Sequence, residues 1–213
     1  MPIRRRVHII VAIEGMDGSG KTTQAKMLVK RLNDYGYSSK YVRPVYLLLE
    51  FLPSSISKYI SISPRYERVK YNAESDFIIF KRVLLCILGY IYALVTLSTM
   101  KILYKNKIVI CDRYFYQFFY DLFSERGWTI IEKFPRPHVL IILEGNLDHI
   151  YARMIDDNDK SINRSYYEGY KSLCKRLDKY PNCHYISSDK DKNLIHNIIY
   201  DITETKLKEA NNG

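Results

Sequence analysis

The sequence predicts an α/β fold, a parallel sheet wound by helices on both faces. Three observations predict it. Val7–Ile13 is an apolar run without alternation, as a strand covered on both faces requires. Short runs of similar character recur at Ser39–Arg43, Lys107–Cys111, His138–Leu143 and His184–Ser187, with helical segments between them. The first run leads directly into Gly15–Thr22, which reads G-x-x-x-x-G-K-[ST] and opens a helix.

The elements follow in order. Gly20–Asp34 carries Ala25, Leu28, Val29 and Leu32 at helical spacing, and Gly36 stops it. Pro44 ends the second strand, and residues 45–65 are expected to be irregular, broken by Pro53 and Pro64. Asp76–Tyr104 reads as one long helix or two joined ones, and 114–126 as a further helix. Pro135-Arg136-Pro137 marks a turn. Leu147–Ile155 and Ser165–Lys179 read as helices flanking a charged loop, Asp156–Asn163. Asn193–Lys208 closes the chain, with Glu209–Gly213 expected to fray.

Composition narrows the function. The 213 residues suit one domain, 1–213, with 47% apolar and 26% charged residues. Lys and Arg outnumber Asp and Glu by 33 to 23, a formal charge of +10. That excess suits a nucleotide, a nucleic acid or an anionic membrane face, without choosing among them. The four cysteines are widely spaced and form no C-x-x-C, which argues against a disulfide framework or zinc site and suits a reducing cytoplasm. Arg4-Arg5-Arg6 before an apolar run looks like a signal peptide, but the run is short and enters a phosphate loop rather than a cleavage site. Val83–Met100 carries no charge and meets the lower length limit for a membrane span. A single span would part the phosphate loop from the Asp112-Arg113 strand, so a core or subunit-interface helix is expected and no membrane contact.

The chemistry centres on Gly15, Met16, Asp17, Gly18, Ser19, Gly20, Lys21, Thr22 and Thr23. Glycines let the backbone curl so that successive N–H groups face phosphate oxygens, and the following helix adds its positive end. Lys21 then reaches the β and γ phosphates of ATP, and Thr22 is placed to ligand Mg²⁺. Asp112-Arg113-Tyr114 follows the third strand directly. An acid there can hold the Mg²⁺ hydration shell, and Arg113 can clamp a second phosphate. The plainer alternative is that Asp112 caps the next helix and Arg113 pairs with it.

Glu14-Gly15-Met16-Asp17-Gly18-Ser19-Gly20-Lys21-Thr22-Thr23-Gln24, with Asp112-Arg113-Tyr114 behind a third strand, resembles thymidylate kinase. The resemblance implies a P-loop NTPase fold with a five-stranded parallel sheet and a short lid, a homodimer, and Mg²⁺-dependent transfer from ATP to a nucleoside monophosphate, taking dTMP to dTDP. By position, Asp17 would approach the acceptor sugar hydroxyl and Arg113 would hold the acceptor phosphate. Arg43 resembles a second acceptor-phosphate arginine, although the family's Arg-Glu-Pro is here Arg43-Pro44. The lid falls at about 156–164, where Arg153, Lys160 and Arg164 are the candidates for catalytic positive charge. Phe77 and Arg82 offer the family's base-stacking and base-reading chemistry at a longer spacing from Arg113 than usual. Ser187-Ser188-Asp189 resembles the loop that passes adenine. The serine usual after Asp-Arg-Tyr is replaced by an aromatic run, Phe115, Tyr116, Phe118, Phe119 and Tyr120, expected chiefly to pack. Two other readings remain at this point. One is a P-loop kinase of another small acceptor, a deoxynucleoside or phosphorylated metabolite. The other is a nucleotide-dependent nucleic-acid-binding protein, which the charge supports but no groove-reading motif does.

Overall fold

A computed structural model describes residues 8–48, 76–123, 128–146, 148 and 164–212. Five strands form one parallel sheet: β1 (Ile9–Gly15), β2 (Ser39–Val42), β3 (Ile108–Asp112), β4 (Val139–Glu144) and β5 (Cys183–Ser187), in the order β2-β3-β1-β4-β5. The expected five-stranded parallel sheet is therefore present, its strand bounds shifted by one or two residues at most ends. The described helices are α1 (Lys21–Asp34), α2 (Pro44–Leu47), α3 (Asp76–Leu103), α4 (Tyr116–Phe123), α5 (Trp128–Lys133), α6 (Arg164–Leu177) and α7 (Lys192–Asn212).

Strand alternation divides the interior in two. Ile9, Val11 and Ile13 of β1 join Ile108, Ile110, Val139 and Ile141 beneath α1 and α7, which contribute Leu28, Leu32, Ile195 and Ile199. Ile10 and Ala12 face the other way with Val109, Cys111, Leu140 and Ile142, under α3, α4, α5 and α6. Every residue of β1 is buried, which is why its sequence does not alternate. At the end of α1 the Gly36 N–H bonds Asn33 O and the Tyr37 N–H bonds Leu32 O, a Schellman closure that uses the left-handed backbone of Gly36 (φ 85°).

The uncharged segment lies within α3, one continuous helix. Gly89, Ala93, Leu97 and Met100 face the core, while Leu84, Ile87, Leu88, Ile91 and Val95 are exposed. No described helix is long and apolar enough to cross a membrane. The Tyr92 hydroxyl donates to Val45 O at 2.6 Å and pins α3 beside α2.

Three expectations need correction. The tail does not fray over 209–212, because α7 continues to Asn212. Buried Leu207 anchors its last turns, and Lys206–Glu209 and Lys208–Glu204 pairs at 2.9 and 2.8 Å brace them. Residues 44–47 form a helical turn, opened by Pro44 at its first position, where irregular chain was expected. Trp128–Lys133 is a helix that the sequence reading passed over. The rest of 49–65, the expected 147–155 helix apart from Asp148, and the charged loop 156–163 lie outside the described residues.

Candidate active site

The ends of β1, β2 and β3 meet at the carboxyl edge of the sheet, where α/β folds place their ligands. There the turn after β1 and the residues after β2 and β3 enclose a cavity of about 490 Å³. Gly18, Gly20, Lys21, Thr22 and Thr23 line it together with Arg43, Asp112 and Arg113.

The phosphate loop takes the shape its glycines permit. Gly15 has φ 140°, and a Cβ there would lie 2.4 Å from Leu143 O on β4. Gly18 (φ 76°) and Gly20 (φ 87°) are left-handed, and Gly20 delivers the chain into α1. No side chain caps α1. A helix start of this kind favours an anion, because its first N–H groups have no intrahelical acceptor. Lys21 is almost fully buried, with its ammonium on Met16 O and 4.0 Å from Asp17 Oδ1.

Among these lining residues, one oxygen of Asp112 collects three donors. Oδ2 accepts from Thr22 Oγ1 at 2.7 Å, Tyr41 Oη at 2.6 Å and Arg43 Nε at 3.1 Å. Arg43 also reaches the Tyr41 hydroxyl at 2.9 Å and Thr22 Oγ1 at 3.3 Å. Burial, then the hydrogen bond to Asp112, pushes the Tyr41 phenol up to about 12, so it stays a donor. The other Asp112 oxygen, Oδ1, is buried and has no partner among the described residues. An unpaired carboxylate oxygen beside the Thr22 hydroxyl fits a divalent cation with oxygen ligands.

Arg113 takes a left-handed conformation, φ 70°. One guanidinium nitrogen, Nη2, pairs with Asp17. Nη1 is buried with no partner among the described residues. The plainer reading of the tripeptide therefore fails: Asp112 bonds Thr22, Tyr41 and Arg43 rather than capping α4, and Arg113 pairs with Asp17 instead of its neighbour.

The structure thus brings together Asp17, Lys21, Thr22, Arg43, Asp112 and Arg113. Arg153 lies outside the described residues, as do the side chains of Phe77, Arg82 and Arg164. The aromatic run after Asp112-Arg113 packs as expected: Phe115, Tyr116, Phe119 and Tyr120 are buried, and Phe118 alone of the five reaches the cavity wall. Sequence reasoning missed Tyr41, Gln117 and Asp121. The last two sit four residues apart on α4 and line the cavity, a spacing that puts them on one helix face. It also gave no role to Glu14, a carboxylate in a strand otherwise without a charge.

The family model of thymidylate kinase matches residues 13–46, which span the phosphate loop, α1 and Arg43. A probable thymidylate kinase of Pyrococcus horikoshii is 32% identical over 151 residues, covering 63% of each chain. Probable thymidylate kinase 1 of Saccharolobus solfataricus is 27% identical over 197 residues, 87% of this chain and 92% of its own length. The chain is similar to thymidylate kinases in its phosphate-loop segment and along most of its length. Among solved structures, thymidylate kinase from Candida albicans shares the fold, with a TM-score of 0.60 and 17% identity over 93% of this chain and 92% of that one. The thymidylate kinase match to the Pyrococcus protein spans less than two thirds of that relative's length.

Proposed function

We propose that the chain, as a single kinase domain, transfers the γ-phosphoryl group of ATP to the phosphate of a nucleoside monophosphate, converting dTMP to dTDP. The observation that carries this reading is one cavity lined by both a phosphate loop and the Asp112-Arg113 pair, with Asp112 Oδ1 and Arg113 Nη1 both lacking partners among the described residues.

The amides of 15–23 and the Lys21 ammonium hold the β and γ phosphates and meet the charge that develops on transfer. Thr22 and Asp112 hold Mg²⁺, which when bound neutralises charge on the β and γ phosphate oxygens. Arg113 Nη1 donates to the acceptor phosphate and keeps one of its oxygens in line with the γ phosphorus. That oxygen forms the new P–O bond as the bond to the β-phosphate oxygen breaks and ADP leaves. Asp17 faces the acceptor sugar hydroxyl, braced by its pair with Arg113. Arg43 is the second acceptor-phosphate arginine, Phe77 and Arg82 hold the acceptor base, and Arg153 and Arg164 supply lid charge. These assignments rest on position in the family motif.

The chain works as a cytoplasmic homodimer. Exposed Leu84, Ile87, Leu88 and Ile91 form an apolar stripe on α3 that a second copy would cover symmetrically, and Cys111, Cys174 and Cys183 are free thiols.

The test mixes the chain with Mg-ATP and a panel of nucleoside monophosphates, plus thymidine, and measures diphosphate formation. dTMP should be the best acceptor, and Lys21→Ala should cost about 10³-fold in kcat. No product with any monophosphate, or near-normal turnover by Lys21→Ala, rejects the assignment.

A further inference from the structure

We propose that the buried Glu14 carboxylate is a positioning residue for the transfer: it fixes the turn that aims Arg113 and ties that turn to α6. The proposal rests on the reading of the cavity as a phosphoryl-transfer site.

Glu14 has no exposed surface, and it is the only charged residue of β1. A carboxylate in such a place is costly unless its oxygens are satisfied. Both are. Oε1 accepts the Tyr114 N–H at 2.6 Å, and Oε2 accepts the Tyr170 hydroxyl at 2.7 Å. Burial raises the Glu14 pKa, while Tyr170, Tyr114, Arg113 and Lys21 all favour the anion.

The first bond acts on Arg113. Its φ of 70° is one that residues with side chains rarely adopt, and such conformations persist only where the surroundings hold them. Here the peptide groups on both sides are tied to β1. The Arg113 N–H bonds Ile13 O at 3.0 Å, and the next N–H, that of Tyr114, bonds Glu14. The turn cannot relax to an ordinary backbone without losing one of them. Held this way, it delivers the guanidinium to Asp17 with Nη1 left for a phosphate.

The second bond brings in α6. Tyr170 lies in its second turn, fully buried against Tyr120 of α4, with ring centroids 5.7 Å apart. A Cβ on the neighbouring Gly169 would meet the Tyr120 hydroxyl, so a side chain there would force that ring to shift. One carboxylate therefore joins the root of the phosphate loop, the arginine turn and α6. Glu14 does not line the cavity, so it acts through Arg113 rather than on the reacting atoms.

The test compares the full-length wild type with Glu14→Gln and Tyr170→Phe. Glutamine keeps the shape: its oxygen can accept from Tyr114 N–H, and its NH₂ can donate to the Tyr170 oxygen, so the charge is what is lost. The dTMP KM should rise tenfold or more in Glu14→Gln, with the Mg-ATP KM within threefold of wild type and the Tm at pH 8 not lowered. Tyr170→Phe should raise the dTMP KM in the same direction by a smaller factor. A purely structural role predicts the opposite pattern, a lower Tm with dTMP KM unchanged, and that result would overturn the proposal. Amide exchange at Tyr114 in the ligand-free chain supplies a reading that needs no turnover. It should quicken at least fivefold in Glu14→Gln, and equal protection would overturn the proposal. A wild type inactive on every monophosphate would refute the kinase reading, and the exchange comparison would still decide the role of Glu14 in the turn.

Discussion

Replacing Gly15 by alanine puts a carbon 2.4 Å from Leu143 O and 3.2 Å from Leu143 C. Carbon and oxygen rarely approach closer than about 3.3 Å, so β1 and β4 would have to part where Gly15 pairs with Leu143. Overpacking of this kind costs about 1–3 kcal/mol. Holding alanine at φ 140° adds about 1–3 kcal/mol. Gly20 is the internal control: it also has positive φ, 87°, but a Cβ there meets nothing within 4 Å. Gly20→Ala should therefore cost the backbone term alone, about 1–2 kcal/mol. For a chain of this length each kcal/mol lowers Tm by roughly 2–4 °C. Thermal unfolding of the ligand-free chain, followed by circular dichroism, should place Gly15→Ala roughly 4–24 °C below wild type and Gly20→Ala roughly 2–8 °C below it. Equal shifts in the two variants would refute the contact with β4 as the deciding term.

On the proposed function, Arg43 competes for the carboxylate that would hold Mg²⁺, through a half-exposed pair of about 1 kcal/mol. Arg43→Ala should lower the Mg²⁺ concentration for half-maximal rate about fivefold and raise the dTMP KM, and a rise in both would contradict the geometry. His138 Nδ1 accepts the Ile10 N–H at 3.0 Å, which needs a neutral ring. Burial, then the charges of His8, Lys101 and Lys206, holds its pKa below 6.5. A folded-state pKa depressed in this way gives stability that is present above pH 6.5 and lost as pH falls through the folded value. Tm should drop on acidification below that point, with a shallower slope in His138→Asn, and parallel slopes would rule the histidine out. Ile91→Lys places a charge in the exposed stripe of α3 and should give a monomer by sedimentation, whereas a wild type already monomeric at micromolar concentration would remove the dimer.

How much of this was legible depended on whether the information is local. Gly15–Thr22 is contiguous, and its glycines state their backbone requirement in the sequence itself. The strands were legible because burial on both faces leaves an unbroken apolar run, as in Ile9–Ile13. Tyr41 was not, because its partner Asp112 lies on the neighbouring strand, and only the β2–β3 pairing brings them together. The Arg113–Asp17 pair was out of reach for the same reason: the two residues are far apart in the chain, and Arg113 meets Asp17 from a left-handed turn. α5 has six residues, too few to show a helical period. The uncharged helix looked membrane-like because its two apolar faces are indistinguishable in sequence, although one packs on the sheet and the other is exposed.

The pairing of Ile13 with Asp112 across β1 and β3 has a further consequence. A slip of one residue along β3 would carry the Asp112 side chain to the opposite face of the sheet, away from Thr22, while leaving an equally apolar strand in its place. Such a misfolded chain would keep its helices and its compactness and lose its chemistry. For material recovered by refolding, the fraction of molecules that turn over substrate is then a gauge of strand alignment, one that spectroscopy of secondary structure would not report.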